Sequence, residues 1–222
     1  MANNAQHQRR KAAKAARRKA IVAEKKRLGT SGSGLLGRVQ FAARFPVALC
    51  VMPSELFEIG IGNVVIGREL PSGLLACGFF LVDVFCLGVK DTHFAEMEQE
   101  QVQAYLAAAD DTQTFVDLAP ACAWKLIEGA VDYAAGLGLA PAKDFGVIQA
   151  IFSDVEPDAC SDTFTYGKDG KPLFVPGPHD TPARIRAVTL ALENRLGVGG
   201  SNPLIQAAAD EPAADDEAPE DR

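Results

Sequence analysis

Histidine, tryptophan and paired cysteine motifs are scarce in this chain, and the scarcity closes off several chemistries. Only His7, His93 and His179 occur, with a single Trp. No H-E-x-x-H pair is present, which excludes a zincin helix, and Cys50, Cys77, Cys86, Cys122 and Cys160 form no C-x-x-C spacing, which excludes a paired-cysteine zinc site or a thioredoxin-like dithiol. The P-loop and G-x-S-x-G are missing as well, so neither a phosphate-cradling loop nor a nucleophile elbow is signalled. A long uninterrupted apolar run is also lacking. The nearest is Leu74 to Val89, about 16 residues broken by Asp83 and rich in β-branched and aromatic side chains, short of the roughly 20 residues a membrane helix needs.

That stretch is nonetheless the most apolar in the chain, and it reads as strand. Val64, Val65 and Ile66 lead to Pro71-Ser72-Gly73, after which the apolar run begins, so residues 61–87 are expected to form a β-hairpin with a long second strand. A three-residue loop sets Leu70 against Leu74, Phe80 opposite Val64 and Asp83 opposite Ile61. Side chains alternate along a strand: Leu75, Cys77, Phe79, Leu81, Asp83, Phe85 and Leu87 share one face, and Leu74, Ala76, Phe80, Val82, Val84 and Cys86 share the other. Both faces are apolar, which predicts a strand covered on both sides.

The net charge of −7 conceals a strong asymmetry. Arg9, Arg10, Lys11, Lys14, Arg17, Arg18, Lys19, Lys25, Lys26 and Arg27 stand against Glu24 alone, giving residues 1–28 a charge of +9. Residues 208–222 carry −6 and the intervening body −10. The sequence therefore divides into a basic arm with a Gly/Ser linker (1–34), disordered or transiently helical, a single domain (35–200) and an acidic disordered tail (201–222). A charged N-terminus without a following apolar segment predicts no secretory signal. With cysteines placed in apolar runs, the expectation is a cytoplasmic protein whose thiols are reduced and buried, with no disulfide-linked partner and no membrane contact.

The expected fold class is α+β: antiparallel hairpins forming a small sheet packed against four helices. Leu35 to Phe45 reads as a short helix and Pro46 to Met52 as a strand. Helices are predicted over 94–109, capped by Asp91 or Thr92, and over 118–136, 142–152 and 182–196, the last capped by Asp180 or Thr181 with Pro182 in its first turn. Asp169-Gly170 between Thr163–Gly167 and Pro172–Val175 predicts a second hairpin over 163–176. Strands, then helices, then strands argue against alternating βαβ units.

Two strings, FLVDVFCLGVKD at 80–91 and FTYGKDGKPLFVPGPHD at 164–180, resemble an uncharacterised group of bacterial conserved-hypothetical proteins, often with a similar Lys/Arg/Ala-rich start. The resemblance spans roughly residues 45–200. It implies no established activity, and no catalytic residue is carried over from it.

Two functional readings follow. The first is a non-catalytic RNA- or DNA-binding protein, on a large ribonucleoprotein or free nucleic acid, whose ten arm cations neutralise phosphates without any cofactor or metal. The second is a metal-dependent hydrolase, most plausibly a nuclease, using Mg or Mn held by Asp83 and Asp91 with His93 assisting a water. Eight positions of unbroken strand put Asp83 and Asp91 roughly 26 Å apart, so this reading needs a chain reversal near Phe85-Cys86-Leu87-Gly88. His179, Arg184 and Arg186 at the start of the last helix form a candidate anion site, in competition with Asp180 as an N-terminal cap.

Overall fold

The computed structural model describes residues 34–110, 114–177 and 180–197. The arm cations, His179 and the acidic tail lie outside the described residues. Helix α1 (Leu35–Ala42) is followed by strand β1 (Val47–Pro53), the one-turn helix α2 (Leu56–Ile59), and strands β2 (Ile61–Glu69), β3 (Leu75–Asp83) and β4 (Gly88–Met97). Then come helix α3 (Gln99–Asp110), strand β5 (Phe115–Asp117), helix α4 (Pro120–Gly136), the one-turn helix α5 (Phe145–Ile148), two 3₁₀ turns (Gln149–Phe152 and Pro157–Ala159) and helix α6 (Pro182–Leu196). The five strands form one antiparallel sheet in the order β4-β3-β2-β1-β5, an α+β fold.

The first hairpin has the register read from the sequence: Val64 faces Phe80 and Ile61 faces Asp83. The two faces of β3 are both covered. Ala76, Phe80 and Val82 join Leu126, Ile127, Ile148 and Ile151 in the main core, while Leu75, Cys77 and Phe79 pack with Val65 and with Val102 of α3. Phe79 meets Tyr105 of α3 edge to face at 4.9 Å, and Phe80 lies 5.6 Å from Phe152, which stacks on Trp124 at 4.9 Å.

Three expectations are corrected. The apolar run does not continue as one strand: it ends at Asp83, turns through Val84–Leu87 and returns as β4. β4 occupies the positions expected to begin a helix at 94, because Asp91 and His93 outside and Phe94 inside follow the period of a strand. The helix starts only at Gln99, where Gln101 reaches back to accept from the Glu98 amide (3.0 Å), half of a capping box. The segment 163–176 contributes no strand to the sheet. A lone bridge, Lys168 to Lys171, closes a tight turn with Asp169 and Gly170 at positive φ, and the flanks instead dock on the β3–β4 turn: the Gly167 amide donates to the Val84 carbonyl (2.9 Å) and the Leu173 amide to the Phe85 carbonyl (3.1 Å).

The cysteines are corrected too. Cys122, in the first turn of α4, is disulfide-bonded to Cys160, while Cys50, Cys77 and Cys86 are buried free thiols. The bond ties α4 to the loop behind the second 3₁₀ turn, across a sequence separation of 38. By constraining the unfolded chain, a loop of this length stabilises the fold by on the order of 2–4 kcal/mol. The melting temperature is accordingly expected to drop by several degrees in Cys160→Ser or after reduction, and identical melting of the wild type with and without reductant would contradict it.

Among the described residues the most buried charge is Arg68 on β2, 1% exposed. Its guanidinium donates to the carbonyls of Ile151 (2.7 Å) and Phe45 (2.8 Å) and pairs with Asp154, stitching the sheet to the 3₁₀ segment and to the loop after α1. The hydrogen bond from Arg68 holds the Asp154 carboxyl below its ordinary range. Replacing Arg68 with Met leaves two buried carbonyls without donors and is expected to cost about 3 kcal/mol or more, whereas Asp154→Asn, at a half-exposed carboxylate, costs less than half of that. Urea denaturation of the two variants checks the order.

Candidate functional site

The reversal at Val84–Leu87 creates the site. All four turn residues are buried, so their backbone groups require partners. Asp83 supplies them from the end of β3: its Oδ1 accepts the amides of Phe85 (3.0 Å) and Cys86 (2.9 Å), the side-chain-to-backbone pattern by which Asp starts a turn. The Val84 amide reaches the Gly60 carbonyl (2.8 Å). Gly88 closes the turn at φ 65°, where an added Cβ would sit 2.7 Å from the Ala130 carbonyl oxygen, so both the dihedral and the approach of α4 demand glycine.

Beside the turn lies a half-open cavity of about 450 Å³. Its walls are apolar, from Ile59, Ile61, Leu81, Phe85, Leu173 and Val175, and Asp83 and Lys90 are the charged groups among its lining residues. Asp83 is 7% exposed, and burial pushes its carboxyl up to about 6 against the opposing pull of the Cys86, Phe85 and Leu87 amides and of Lys90. Lys90 is held in an ion pair: its Nζ lies 2.7 Å from Asp180 Oδ2. Asp180 Oδ2 also accepts the Gly177 amide (2.7 Å), and Oδ1 lies 3.3 Å from Arg184 Nε. Burial works to raise the Asp180 carboxyl, but the bonds from Lys90 and Gly177 and the charges of Lys90 and Arg184 outweigh it and leave it below its ordinary range.

The reversal that the hydrolase reading requires is present. It lays Asp91 opposite Leu81 and His93 opposite Phe79, on the sheet face that Asp83 shares. It does not gather them into a metal site. Asp91 is exposed and accepts the amide of its neighbour Thr92 (2.8 Å), and His93 is exposed beside the Phe79 ring. Among the described residues the one group of three with ligand atoms mutually within 4.8 Å is Cys122, Cys160 and Asp162, whose two sulfurs are bonded to each other. At the start of α6, Thr181 is the cap, accepting the Arg184 amide (3.2 Å), while Arg184 faces Asp180 and Arg186 is exposed.

The sequence reading passed over Lys90 and Arg68, since a lysine or arginine near a strand end ordinarily faces solvent. A G-x-G-x-x-G was expected to be missing, yet Gly32-x-Gly34-x-x-Gly37 has the spacing of a dinucleotide fingerprint. The described sheet gives that spacing no support: α1 leads into β1, whose neighbours β2 and β5 are both antiparallel, whereas the fingerprint belongs to a parallel βαβ unit.

No protein-family model, curated protein or solved structure matches the chain. No described helix is long and apolar enough to cross a membrane.

Asp83 titrates with a defined sign. Its folded carboxyl binds a proton more tightly than the unfolded chain does, so the contribution of Asp83 to stability is fully present below about pH 4 and is lost as pH rises through about 6. The loss is on the order of 3 kcal/mol. Asp83→Asn keeps a carbonyl oxygen for the Phe85 and Cys86 amides and has no charge to desolvate, so it is expected to match the wild type at pH 4 and exceed it at pH 7. Asp83→Ala loses the acceptor and about 1–3 kcal/mol at both. Parallel urea curves for wild type and Asp83→Asn between pH 4 and 7 would contradict the assignment.

Proposed function

We propose that the protein binds RNA or DNA through residues 1–28 and that its folded body is not catalytic. The observation that carries this reading is the charge separation along the chain, ten cations against one acid in the arm and −10 in the body. Lysines and arginines on such a segment contact phosphates rather than base edges, which gives affinity with little sequence preference. An acidic body repels phosphate and confines contact to the arm. The carboxylates that a nuclease would need support the same view, because Asp83 is engaged by turn amides and Asp91 accepts the amide of its own neighbour Thr92.

The proposed location is the cytoplasm, and the partner there is a nucleic acid or a ribonucleoprotein. Both half-cystines are less than a tenth exposed, which restricts access by reducing thiols and lets the cross-link persist in that compartment. The second reading, a Mg- or Mn-dependent hydrolase, draws on one observation, the reversal that puts Asp83, Asp91 and His93 on one sheet face.

Fluorescence anisotropy with labelled duplex DNA and single-stranded RNA tests the first reading. If about five phosphates are neutralised, raising salt from roughly 50 to 200 mM weakens duplex binding by a few hundredfold. Deleting residues 1–28 abolishes binding, and deleting 208–222 strengthens it by removing competing acids. Equal binding with and without the arm, or none at low salt, overturns the reading. Cleavage of either probe on adding Mn²⁺, lost in Asp91→Asn, would favour the hydrolase.

A further inference from the structure

The cavity beside the β3–β4 turn has features that a structural turn does not require. Its walls are hydrocarbon, its volume of about 450 Å³ suits a small organic molecule, and a single carboxylate sits within them. Asp83 uses Oδ1 to hold the turn. An asparagine would hold the same two amides without the desolvation that a carboxylate suffers, so the charge itself is surplus to the turn. Lys90 does not balance it at close range, being locked at 2.7 Å to Asp180, whose side chain is 3% exposed. The second cation near the walls, Lys168, stands over the Phe85 ring, 5.2 Å from its centre.

The geometry points to this cavity as a binding site for a small organic ammonium or amidinium ion with an apolar body, the cation seated against Asp83 and the body against Ile59, Leu81, Phe85 and Val175. The apolar body gains from leaving water, and the cation relieves the cost of a buried carboxylate whose charge is opposed only by turn amides and by Lys90, itself paired with Asp180. Binding is therefore linked to the ionisation of Asp83 and weakens as pH falls below about 6. Burial pushes the Cys86 thiol and the Tyr133 phenol, behind the turn, up to about 12, so neither changes charge in this window. Lys90 is paired with Asp180. This site does not depend on the nucleic-acid reading.

The test uses the full chain, with benzylammonium and its uncharged counterpart benzyl alcohol as probes, followed by amide NMR shifts. At pH 7.5 benzylammonium should shift the amides of Gly60, Leu81 and Gly177, residues that line the cavity, and bind at least about tenfold more tightly than the alcohol. Asp83→Asn should remove that preference, and Val175→Trp, at an exposed residue on the rim, should block both probes. Lowering the pH to 5 should weaken benzylammonium and leave the alcohol unchanged. Equal affinity for the two probes, retention of the preference in Asp83→Asn, or no binding of either at millimolar concentration would overturn the proposal.

Discussion

The structure depends on one carboxylate accepting two amides inside the protein. Val84 to Leu87 are four apolar residues in a row, a composition that ordinarily prolongs a strand. What stops the strand is Asp83, whose Oδ1 gives the Phe85 and Cys86 amides the partners they would otherwise find in a ladder, together with Gly88, which takes a dihedral that L side chains rarely adopt and lies where a Cβ would meet α4. From that reversal follow β4, the start of α3 after it, and the docking of the 167–173 segment onto the turn carbonyls of Val84 and Phe85. The cost of burying the carboxylate falls on the same residue, and it appears as a proton affinity raised to about 6.

A second buried charge does related work elsewhere. Arg68 lies at the far end of the β2–β3 ladder from Asp83 and joins carbonyls from the loop after α1 and from the first 3₁₀ turn. The sheet thus carries an ionisable side chain near each end of its central hairpin, one accepting from a turn and one donating to a loop and a 3₁₀ turn. Between them the ladder is almost wholly apolar on both faces. The polar groups sit where the chain leaves regular structure, because there the backbone lacks partners of its own.

Much of the fold was legible in the sequence, for identifiable reasons. Pro71-Ser72-Gly73 fixed the first hairpin to the residue, and Thr181-Pro182 with Gly197 bounded the last helix. The reversal was not legible as such, since an Asp within an apolar run is equally a bulge, a ligand or a buried partner, and the amides it serves are apolar residues. Missing it displaced the expected helix from 99 to 94. Asp169-Gly170 did make a turn, but Leu173 docks on the β3–β4 turn and Phe174 packs against that turn and α6 instead of joining a strand. The bond between Cys122 and Cys160 was invisible because proximity across 38 residues is a property of the folded chain. Of the candidate site, the sequence singled out Asp83 and its unusual burial, while the cavity around it is assembled from α2, three strands and the 173–177 segment, which no local pattern announces.

The central claim is that Asp83 is a buried, amide-bound carboxyl facing an apolar cavity, and carbon-13 NMR of its carboxyl group, titrated from about pH 3 to 8, tests it most directly. The expected result is a single step with a midpoint near 6, followed at the same midpoint by the amide protons of Phe85 and Cys86. A midpoint in the ordinary carboxylate range near 4, with those two amides unaffected, would contradict it.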